Sequence, residues 1–265
     1  MNGLDLQAIA LRGPGLNGWL EGRECLAGMQ GWTPTSTMLP GPDALPANER
    51  RRLTPTLRLA LALAFEVCSD LSAEERAELP AVFASALGDS DITDRLCVTL
   101  SESQGAVSPS QFHNSVHNAP AGYWSLAVSN RQLTNSLAAG EWTAGAALLE
   151  AYTLATSIQS PVIMALYDVE PPQLLKPFAG VSHSFGMALR LAPAQQCGNA
   201  LATFQLSLSS QVETKLPQPW ENLRISSPAS RHLALPYAVA KGIRNIVLPL
   251  DRHKNIKLEC SALNG

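Results

Sequence analysis

Two long segments of the chain are apolar or small at nearly every position, and their length predicts buried helices. They lie at residues 57–69 and 143–157, and Glu150 is the one charged residue of the second. A helix that is apolar all round packs against other elements on more than one side. The second helix also begins with small residues, which allow other backbone to approach closely. We therefore expect it at the centre of the fold.

Shorter apolar runs predict β-strands, because strands covered on both faces read as continuous apolar runs. Strands are predicted at residues 81–84, 161–167, 185–191 and 200–208, and residues 1–20 read as a strand with a loop. Strands that alternate with buried helices are typical of α/β folds. We therefore expect residues 1–265 to form a single α/β domain, although the pattern leaves the fold of residues 206–265 open.

Polar and turn-forming residues mark where other elements begin. Ser72 followed by Glu75 has the spacing of a capping box, which predicts a helix start. Another helix is expected at residues 91–101, and residues 34–55 form a loop rich in proline and glycine. A loop of that length is functional or packed against another part of the molecule.

The charge of the chain is low, which narrows the classes of function. Charged residues make up 15% of the chain, hydrophobic residues make up 46%, and the net charge is −3. Low charge is a weak sign of a large protein interface. The basic cluster Arg50, Arg51 and Arg52 is too small for nucleic-acid binding, which needs many clustered cations to neutralise phosphates. We therefore expect no nucleic-acid partner.

The number and spacing of the cysteines and the hydropathy of the chain indicate the cellular compartment of the protein. The five cysteines (Cys25, Cys68, Cys97, Cys197 and Cys260) are odd in number and never spaced C-x-x-C. This predicts neither a zinc site nor a disulfide framework, and it favours a reducing, cytoplasmic location. The N-terminus lacks the basic start and apolar core of a secretory signal. No run reaches the roughly 18 apolar residues of a membrane span.

The most distinctive segment is residues 105–125, with the sequence GAVSPSQFHNSVHNAPAGYWS. His113 and His117 are four positions apart, so on one helix they would share a face. That spacing also occurs in metal sites, but only two ligands are visible and no metalloprotease motif surrounds them. We expect these histidines to form hydrogen bonds or to lie at an interface, with no metal and no cofactor.

Five segments, taken in order, resemble the N-terminal half of the β-ketoacyl synthases. They are LPANERRRLTPTLRLALALAFE, VSPSQFHNSVHNAPAGYWSLA, NSLAAGEWTAGAALLEA, PVIMALYDVEP and FGMALRL. Their order and spacing fit the family over roughly residues 5–205. The resemblance implies a thiolase-like fold, which is a layered α/β/α domain. It also implies that the third segment holds the turn that carries the family's nucleophilic cysteine.

The family's catalytic residues are missing from this sequence. Alignment of Ala138-Ala139-Gly140 with the small residues after the family's cysteine places Leu137 at the nucleophile position, and a shift by one places Ser136 there. The family's two histidine motifs are also absent, because His183, His232 and His253 lack the required neighbours. Condensation needs a thiolate at a helix N-terminus and histidine donors. We therefore expect no condensation chemistry on this chain, and Ser136 would need a histidine base that the sequence does not identify.

Such degenerate chains resemble chain-length factors, and the short length resembles the small ketosynthase-like subunits of aryl polyene and xanthomonadin pigment systems. The resemblance implies a heterodimer with a catalytic ketosynthase, transient contact with acyl carrier protein, and a role in shaping the partner's acyl tunnel. Two alternatives stay open. One is a truncated synthase that keeps acyltransfer or decarboxylase activity through Ser136, and the other is an interaction protein with no tunnel role.

Several residues are candidates for the interface or the tunnel under this interpretation. Aromatic side chains are good interface anchors because they bury large areas. For the aromatic residues the alternative is an ordinary place in the core, and for Leu137 it is a core leucine beside a helix. Arg50 to Arg52 would contact the acidic carrier protein or lie in a solvated loop. The interface and tunnel candidates are Phe112, His113, His117, Asn118, Tyr123, Trp124 and Trp142.

Overall fold

The described part of the chain, residues 3–102, 105–194 and 200–263 of a computed structural model, is built around one mixed β-sheet. Cys197 lies outside the described residues. The strand order is β4-β3-β5-β6-β1-β7-β9-β8, and the short β2 pairs with β1. The described strands are β1 (Leu4–Gly13), β2 (Leu16–Asn17), β3 (Ala81–Ala84), β4 (Thr134–Leu137), β5 (Val162–Asp168), β6 (Phe185–Pro193), β7 (Ala202–Ser209), β8 (Asn245–Pro249) and β9 (Asn255–Leu263).

Helices cover both faces of this sheet. The described helices are α1 (Trp19–Ala27), α2 (Ala47–Arg50), α3 (Pro55–Glu66), α4 (Ala73–Ala77), α5 (Ser90–Ser101), α6 (Pro109–Ser115), α7 (Ala119–Val128), α8 (Thr143–Ile158), α9 (Lys176–Ala179), α10 (Trp220–Arg224) and α11 (Ala234–Lys241). Short 3₁₀ turns lie at Gly140–Trp142 and Pro228–Ser230. Of the described helices, none is long and apolar enough to cross a membrane.

The strand residues divide between two hydrophobic cores because successive side chains point to opposite faces of a sheet. In β5, Met164 and Leu166 belong to the core that contains α8, whereas Ala165 and Tyr167 belong to the core that contains α3 and α7. The result is a three-layer α/β/α arrangement, which confirms the predicted fold class.

Side-chain caps explain three of the helix starts. Thr54 caps α3 by accepting a hydrogen bond from the Leu57 amide at 3.2 Å. The predicted capping box at Ser72 is present, with reciprocal hydrogen bonds between Ser72 and Glu75 of 2.8 and 3.2 Å. α5 begins at Ser90 because the Asp89 carboxylate accepts from the Ile92 amide at 3.1 Å.

Some elements differ from the sequence prediction. α1 begins at Trp19, within residues 1–20, which were expected to be strand and loop. α2 is a short helix within residues 34–55, which were expected to be loop. β4 lies in a stretch where no strand was predicted, and it pairs in parallel with β3. Its sequence, TNSL, is short and largely polar, so its strand state depends on pairing with β3 rather than on an apolar pattern.

Candidate functional site

The candidate site lies where three parallel strands end. β3 pairs in parallel with both β4 and β5, so the carboxyl ends of these strands meet at one edge of the sheet. The loops after parallel strands are the usual place for binding and catalysis in α/β folds. Here they are residues 85–89 after β3, residues 138–142 after β4, and residues 169–184 after β5. We call residues 138–142 the β4–α8 turn.

Leu137, the residue aligned with the family's nucleophile, lies at the end of a strand. Leu137 is the last residue of β4, where it pairs with Ala84 and its carbonyl oxygen accepts from the Ser85 amide at 3.2 Å. Its side chain is half-buried and packs against the core that contains α8. The mechanism requires a helix N-terminus, but α8 begins only at Thr143. Leu137 is therefore a strand residue and not the residue at the start of the helix.

Gly140 lies closer to the start of α8 than Leu137 does. It opens the 3₁₀ turn that leads directly into α8, and its φ of +56° is in the left-handed region that favours glycine. No atom outside its chain neighbours lies within 4 Å of the position that a Cβ would take. Thr143 braces the turn, since its hydroxyl accepts from the Ala139 amide at 3.0 Å and donates to the Gly140 carbonyl at 2.7 Å. The shape of the turn is present without a nucleophile.

Ser136 is a poor substitute nucleophile. Its hydroxyl oxygen is buried and has no hydrogen-bond partner among the described residues. His117 instead forms a hydrogen bond with the Ser85 carbonyl at 3.1 Å, and His232 forms one with the Pro249 carbonyl at 2.9 Å. A serine nucleophile needs a histidine within hydrogen-bond reach, and no such contact is present in the described structure.

A buried carboxylate that the sequence analysis did not single out organises the neighbouring loops. Asp168 ends β5, and its Oδ1 accepts from the Ser85 hydroxyl at 2.9 Å and from the amides of Ala86 and Leu87 at 2.9 and 3.2 Å. Its Oδ2 accepts from the Ala229 amide at 3.2 Å. One side chain thereby joins the loop after β3 to the 3₁₀ turn at Pro228–Ser230, which packs against the β4–α8 turn.

Burial sets the protonation behaviour of this carboxylate. Asp168 has no exposed surface, and the loss of solvation raises its pKa to about 6, although the hydrogen bonds from Ser85, Leu87, Ala86 and Ala229 act in the opposite direction. An acidic residue directly after the apolar run PVIMALY is the sequence signal for this role. The donors, however, come from distant parts of the chain that no local pattern links to it.

The distinctive segment divides into surface and core residues. Phe112 on α6 is 64% exposed, and His113 is exposed with its ring edge-on to Tyr123 at a centroid distance of 6.2 Å. Asn118 precedes α7 and is exposed. Trp142 is half-buried at the end of the β4–α8 turn. Phe112, His113 and Asn118 are therefore accessible to a partner.

Two aromatic residues expected at an interface lie in the core instead. Trp124 has no exposed surface and packs edge-on against Phe65 at 5.1 Å. Tyr123 is 5% exposed and donates a hydrogen bond from its hydroxyl to Asn114 at 3.1 Å. Trp124 therefore faces α3 and offers no surface to a partner, whereas Tyr123 packs against α6 and is nearly covered.

The histidine pair does not share a helix face. α6 ends at Ser115, and Val116 is extended with ψ of 141°, so His117 lies beyond the helix that carries His113. Within the described residues, no three His, Cys, Asp or Glu side chains are grouped as a metal site would require. In the basic cluster, Arg50 pairs with Asp43 at 2.7 Å and Arg52 with Glu49 at 3.3 Å.

β4 is an open edge of the described sheet. The carbonyls of Leu133 and Leu137 accept from the amides of Ala81 and Ser85 on β3. Alternate residues of a strand direct their backbone groups to opposite sides. Thr134 and Ser136 therefore direct their N–H and C=O groups away from β3. These outward groups are in position to pair with a strand of another chain.

A cysteine introduced at Gly140 is expected to react faster with iodoacetamide than a cysteine introduced at Leu137. The N-terminus of α8 lowers the pKa of a thiol that lies at the entry to this helix. A thiol at the end of β4 is too far from the helix for this effect. The rates of Gly140→Cys and Leu137→Cys are compared by mass spectrometry in a background where the exposed Cys97 is replaced by serine. Faster labelling at position 137 would contradict the placement of Gly140, rather than Leu137, at the entry to α8.

Comparison with solved structures identifies the fold. A chain of the complex of the ketosynthase ApeO with its chain length factor ApeC from Xenorhabdus doucetiae matches with a TM-score of 0.73 and 20% identity, covering 98% of this chain and 99% of that chain. A chain of the ishigamide ketosynthase/chain length factor matches with a TM-score of 0.69 and 13% identity, covering 98% and 99%. A β-ketoacyl synthase from Burkholderia phymatum matches with a TM-score of 0.60 and 14% identity, covering 90% and 71%. At these identities the matches show a shared fold.

Family membership comes from the sequence. No curated protein matches the chain. The model of the β-ketoacyl synthase N-terminal domain, however, matches residues 26–240, which is most of the chain. That range includes β3, β4, the β4–α8 turn, α8 and β5. The chain therefore belongs to the family of β-ketoacyl synthase N-terminal domains.

Proposed function

We propose that the chain is a non-catalytic, chain-length-factor-like subunit that pairs with an active ketosynthase and closes that partner's acyl tunnel. The observation that carries the proposal is a ketosynthase-type fold in which the β4–α8 turn contains no cysteine, serine or histidine. The open edge of β4 lies directly before this turn. The fold around the reaction centre is thus kept while the groups that perform the reaction are replaced.

The residues at the β4–α8 turn support the non-catalytic part of the proposal. Condensation needs a thiolate and histidine donors that face the developing enolate. The turn offers Gly140, Glu141 and Trp142, and none of these carries a thiol. His232 is fully buried, burial lowers its pKa to about 4, and its Nε2 is engaged with the Pro249 carbonyl. That histidine therefore serves the core rather than a substrate.

The surface beside β4 supports the pairing. A strand with unpaired outward N–H and C=O groups is a template for a strand of another chain. Large apolar side chains are exposed on α6, α7 and the segments around them, and their contiguous burial would suit a protein partner. They are Phe112 at 64%, Leu126 at 61%, Leu133 at 51% and Val116 at 44% exposed.

The identity of the partner rests on resemblance. The matched ApeO–ApeC and ishigamide structures are each described as a ketosynthase with a chain length factor, and the match covers 99% of their chains. By analogy the chemistry resides on the partner, and an acyl carrier protein contacts the complex transiently. The proposal includes a reducing, cytoplasmic location, supported by the free thiols of Cys25, Cys68 and Cys97. It also treats residues 1–265 as one domain, because one sheet takes strands from both ends of the chain.

Phe112→Ala is expected to lengthen the products of the complex, because removing a large exposed aromatic from the partner-facing surface would deepen the tunnel that it closes. The matched control is Phe178→Ala, a phenylalanine that is 87% exposed on α9. Products are compared by mass spectrometry after co-expression with a ketosynthase and carrier protein from the same genome. Unchanged chain lengths with Phe112→Ala would count against the tunnel role.

The truncated-synthase alternative predicts a different result in the same samples. If Ser136 acted as a nucleophile, incubation with acylated carrier protein would add an acyl group to this chain. We expect the intact mass of the chain to stay unchanged and the partner ketosynthase to gain the acyl mass. A stable acyl adduct on this chain that disappears in Ser136→Ala would overturn the non-catalytic proposal.

A further inference from the structure

Two buried polar atoms on neighbouring elements lack hydrogen-bond partners. The Tyr167 hydroxyl, on β5, is fully buried and has no partner among the described residues. Oδ2 of Asp89, which precedes α5, is also buried and has no described partner within normal hydrogen-bond geometry, although the Thr54 and Thr56 side chains lie close enough to lower the pKa of this carboxyl. The other carboxylate oxygen of Asp89 is occupied, since Oδ1 accepts from the Ile92 amide at 3.1 Å. An unsatisfied polar group in the interior is costly, so native proteins satisfy such groups with protein or ordered water.

Both side chains line one small cavity. It has a volume of about 10 Å³, and its walls include Thr56, Gly88, Asp89, His117 and Tyr167. A cavity of on the order of 10–15 Å³ is the smallest that holds a water molecule, provided that two or more polar groups face it. Thr56 adds a hydroxyl to the wall. The cavity therefore has the size and the polarity for one small hydrogen-bonding ligand.

We propose that this cavity is a binding site for a single water molecule, which bridges Tyr167 and Asp89. The Tyr167 hydroxyl donates to the water, and the water donates to Oδ2 of Asp89. A direct hydrogen bond between the two side chains is not formed in the structure. A metal ion is the poorer occupant, because Asp89 is the one carboxylate on the wall and Nε2 of His117 is engaged with the Ser85 carbonyl.

The burial of Asp89 and Tyr167 disfavours their charged forms, which suits a neutral ligand held by hydrogen bonds. The loss of solvation raises the pKa of Asp89, against the opposing effect of the Thr54 and Thr56 side chains and the Ile92 amide. The pKa of Tyr167 is likewise raised by burial and by the nearby Asp168 and Asp89 carboxylates. The tyrosine thus remains a donor, which is the role that the bridge requires of it.

The bridge would join elements that flank the candidate site. Tyr167 directly precedes Asp168, and Asp89 ends the loop whose amides bind Asp168. A water between them holds that loop against β5 from the α3 side of the sheet, while Asp168 holds it from the α8 side. The inference concerns this chain alone and does not depend on a ketosynthase partner.

A crystal structure of the chain or of its complex tests the site directly. We expect one density peak at about 2.8 Å from both the Tyr167 hydroxyl and Oδ2 of Asp89, the usual separation of hydrogen-bonded oxygens. A direct contact between the two side chains, or a cavity without density, would overturn the proposal. So would a peak with several oxygen contacts near 2.4 Å, which indicates a cation.

The direction in which Tyr167→Phe changes the thermal stability of the chain gives an independent test in solution. If the water is bound, Tyr167→Phe removes one of its partners, and we expect the midpoint of thermal unfolding to fall by about 3 °C. If the hydroxyl has no partner, its removal relieves a buried unsatisfied group, and the midpoint stays the same or rises. Tyr237→Phe is the control, since Tyr237 is 9% exposed and lies in the other core. A midpoint for Tyr167→Phe equal to or above that of Tyr237→Phe would overturn the proposal of a bridging water.

Discussion

If the proposed pairing with a ketosynthase uses the β4 edge, Ser136→Pro is expected to abolish co-purification of this chain with that ketosynthase while the chain itself remains folded. The backbone N–H of Ser136 points away from β3, so the proline removes no hydrogen bond of the chain's own sheet. It does remove a donor from the open edge, and proline is tolerated on edge strands for this reason. The loss should be nearly complete, because a strand interface depends on a continuous ladder of hydrogen bonds.

The matched control for this prediction is Ser136→Ala, which keeps the backbone N–H and removes only the hydroxyl. An affinity tag on the ketosynthase recovers the complex, and far-UV circular dichroism of each chain purified alone reports its fold. We expect Ser136→Ala to be recovered at the level of the unmodified chain. Recovery of Ser136→Pro at that same level would show that the partner does not pair with β4.

Asp168→Ala is expected to lower the free energy of unfolding by about 3–5 kcal/mol, because it leaves several buried donors without an acceptor at once. These donors are the Ser85 hydroxyl and the amides of Ala86, Leu87 and Ala229. The Ser85 hydroxyl can rotate, but the amides are held by the backbone and cannot reach water without opening the loop. The effect should therefore exceed that of an ordinary surface carboxylate.

Urea unfolding measures this effect, and Asp91→Ala provides the control. Asp91 forms an exposed ion pair with Arg95 on α5, and exposed pairs of this kind contribute at most about 1 kcal/mol. Asp168→Asn should fall between the two, since its amide oxygen can still accept while its NH₂ group faces other donors. A loss below about 1 kcal/mol for Asp168→Ala would mean that Asp168 does not organise the loops.

Local sequence patterns predicted those helices and strands whose formation depends mainly on their own residues. The apolar runs that became β3 and β5 were recognisable because both faces of these strands are covered. The capping box at Ser72 was readable because it is completed within four residues. The central helix α8 was expected at residues 143–157 and is found at Thr143–Ile158.

The elements that were missed depend on distant contacts. β4 carries a polar sequence and is a strand because β3 supplies its hydrogen bonds. Leu137 was assigned to the turn before α8 and is found in β4, because a run of small residues does not show where a strand ends. The burial of Trp124 was also undecided, since an aromatic side chain suits a core as well as an interface.

The sequence by itself indicated buried helices and strands of an α/β fold, because apolar periodicity is a local property. Its resemblance to the β-ketoacyl synthases further implied that family's N-terminal architecture and showed that the cysteine and histidine motifs are missing. The tertiary structure alone decided that Leu137 ends β4 and that Gly140 opens the 3₁₀ turn into α8. It alone brought Asp168 to the amides of two distant loops and left the β4 edge open. These features arise from strand pairing and burial between remote segments, which no local pattern encodes.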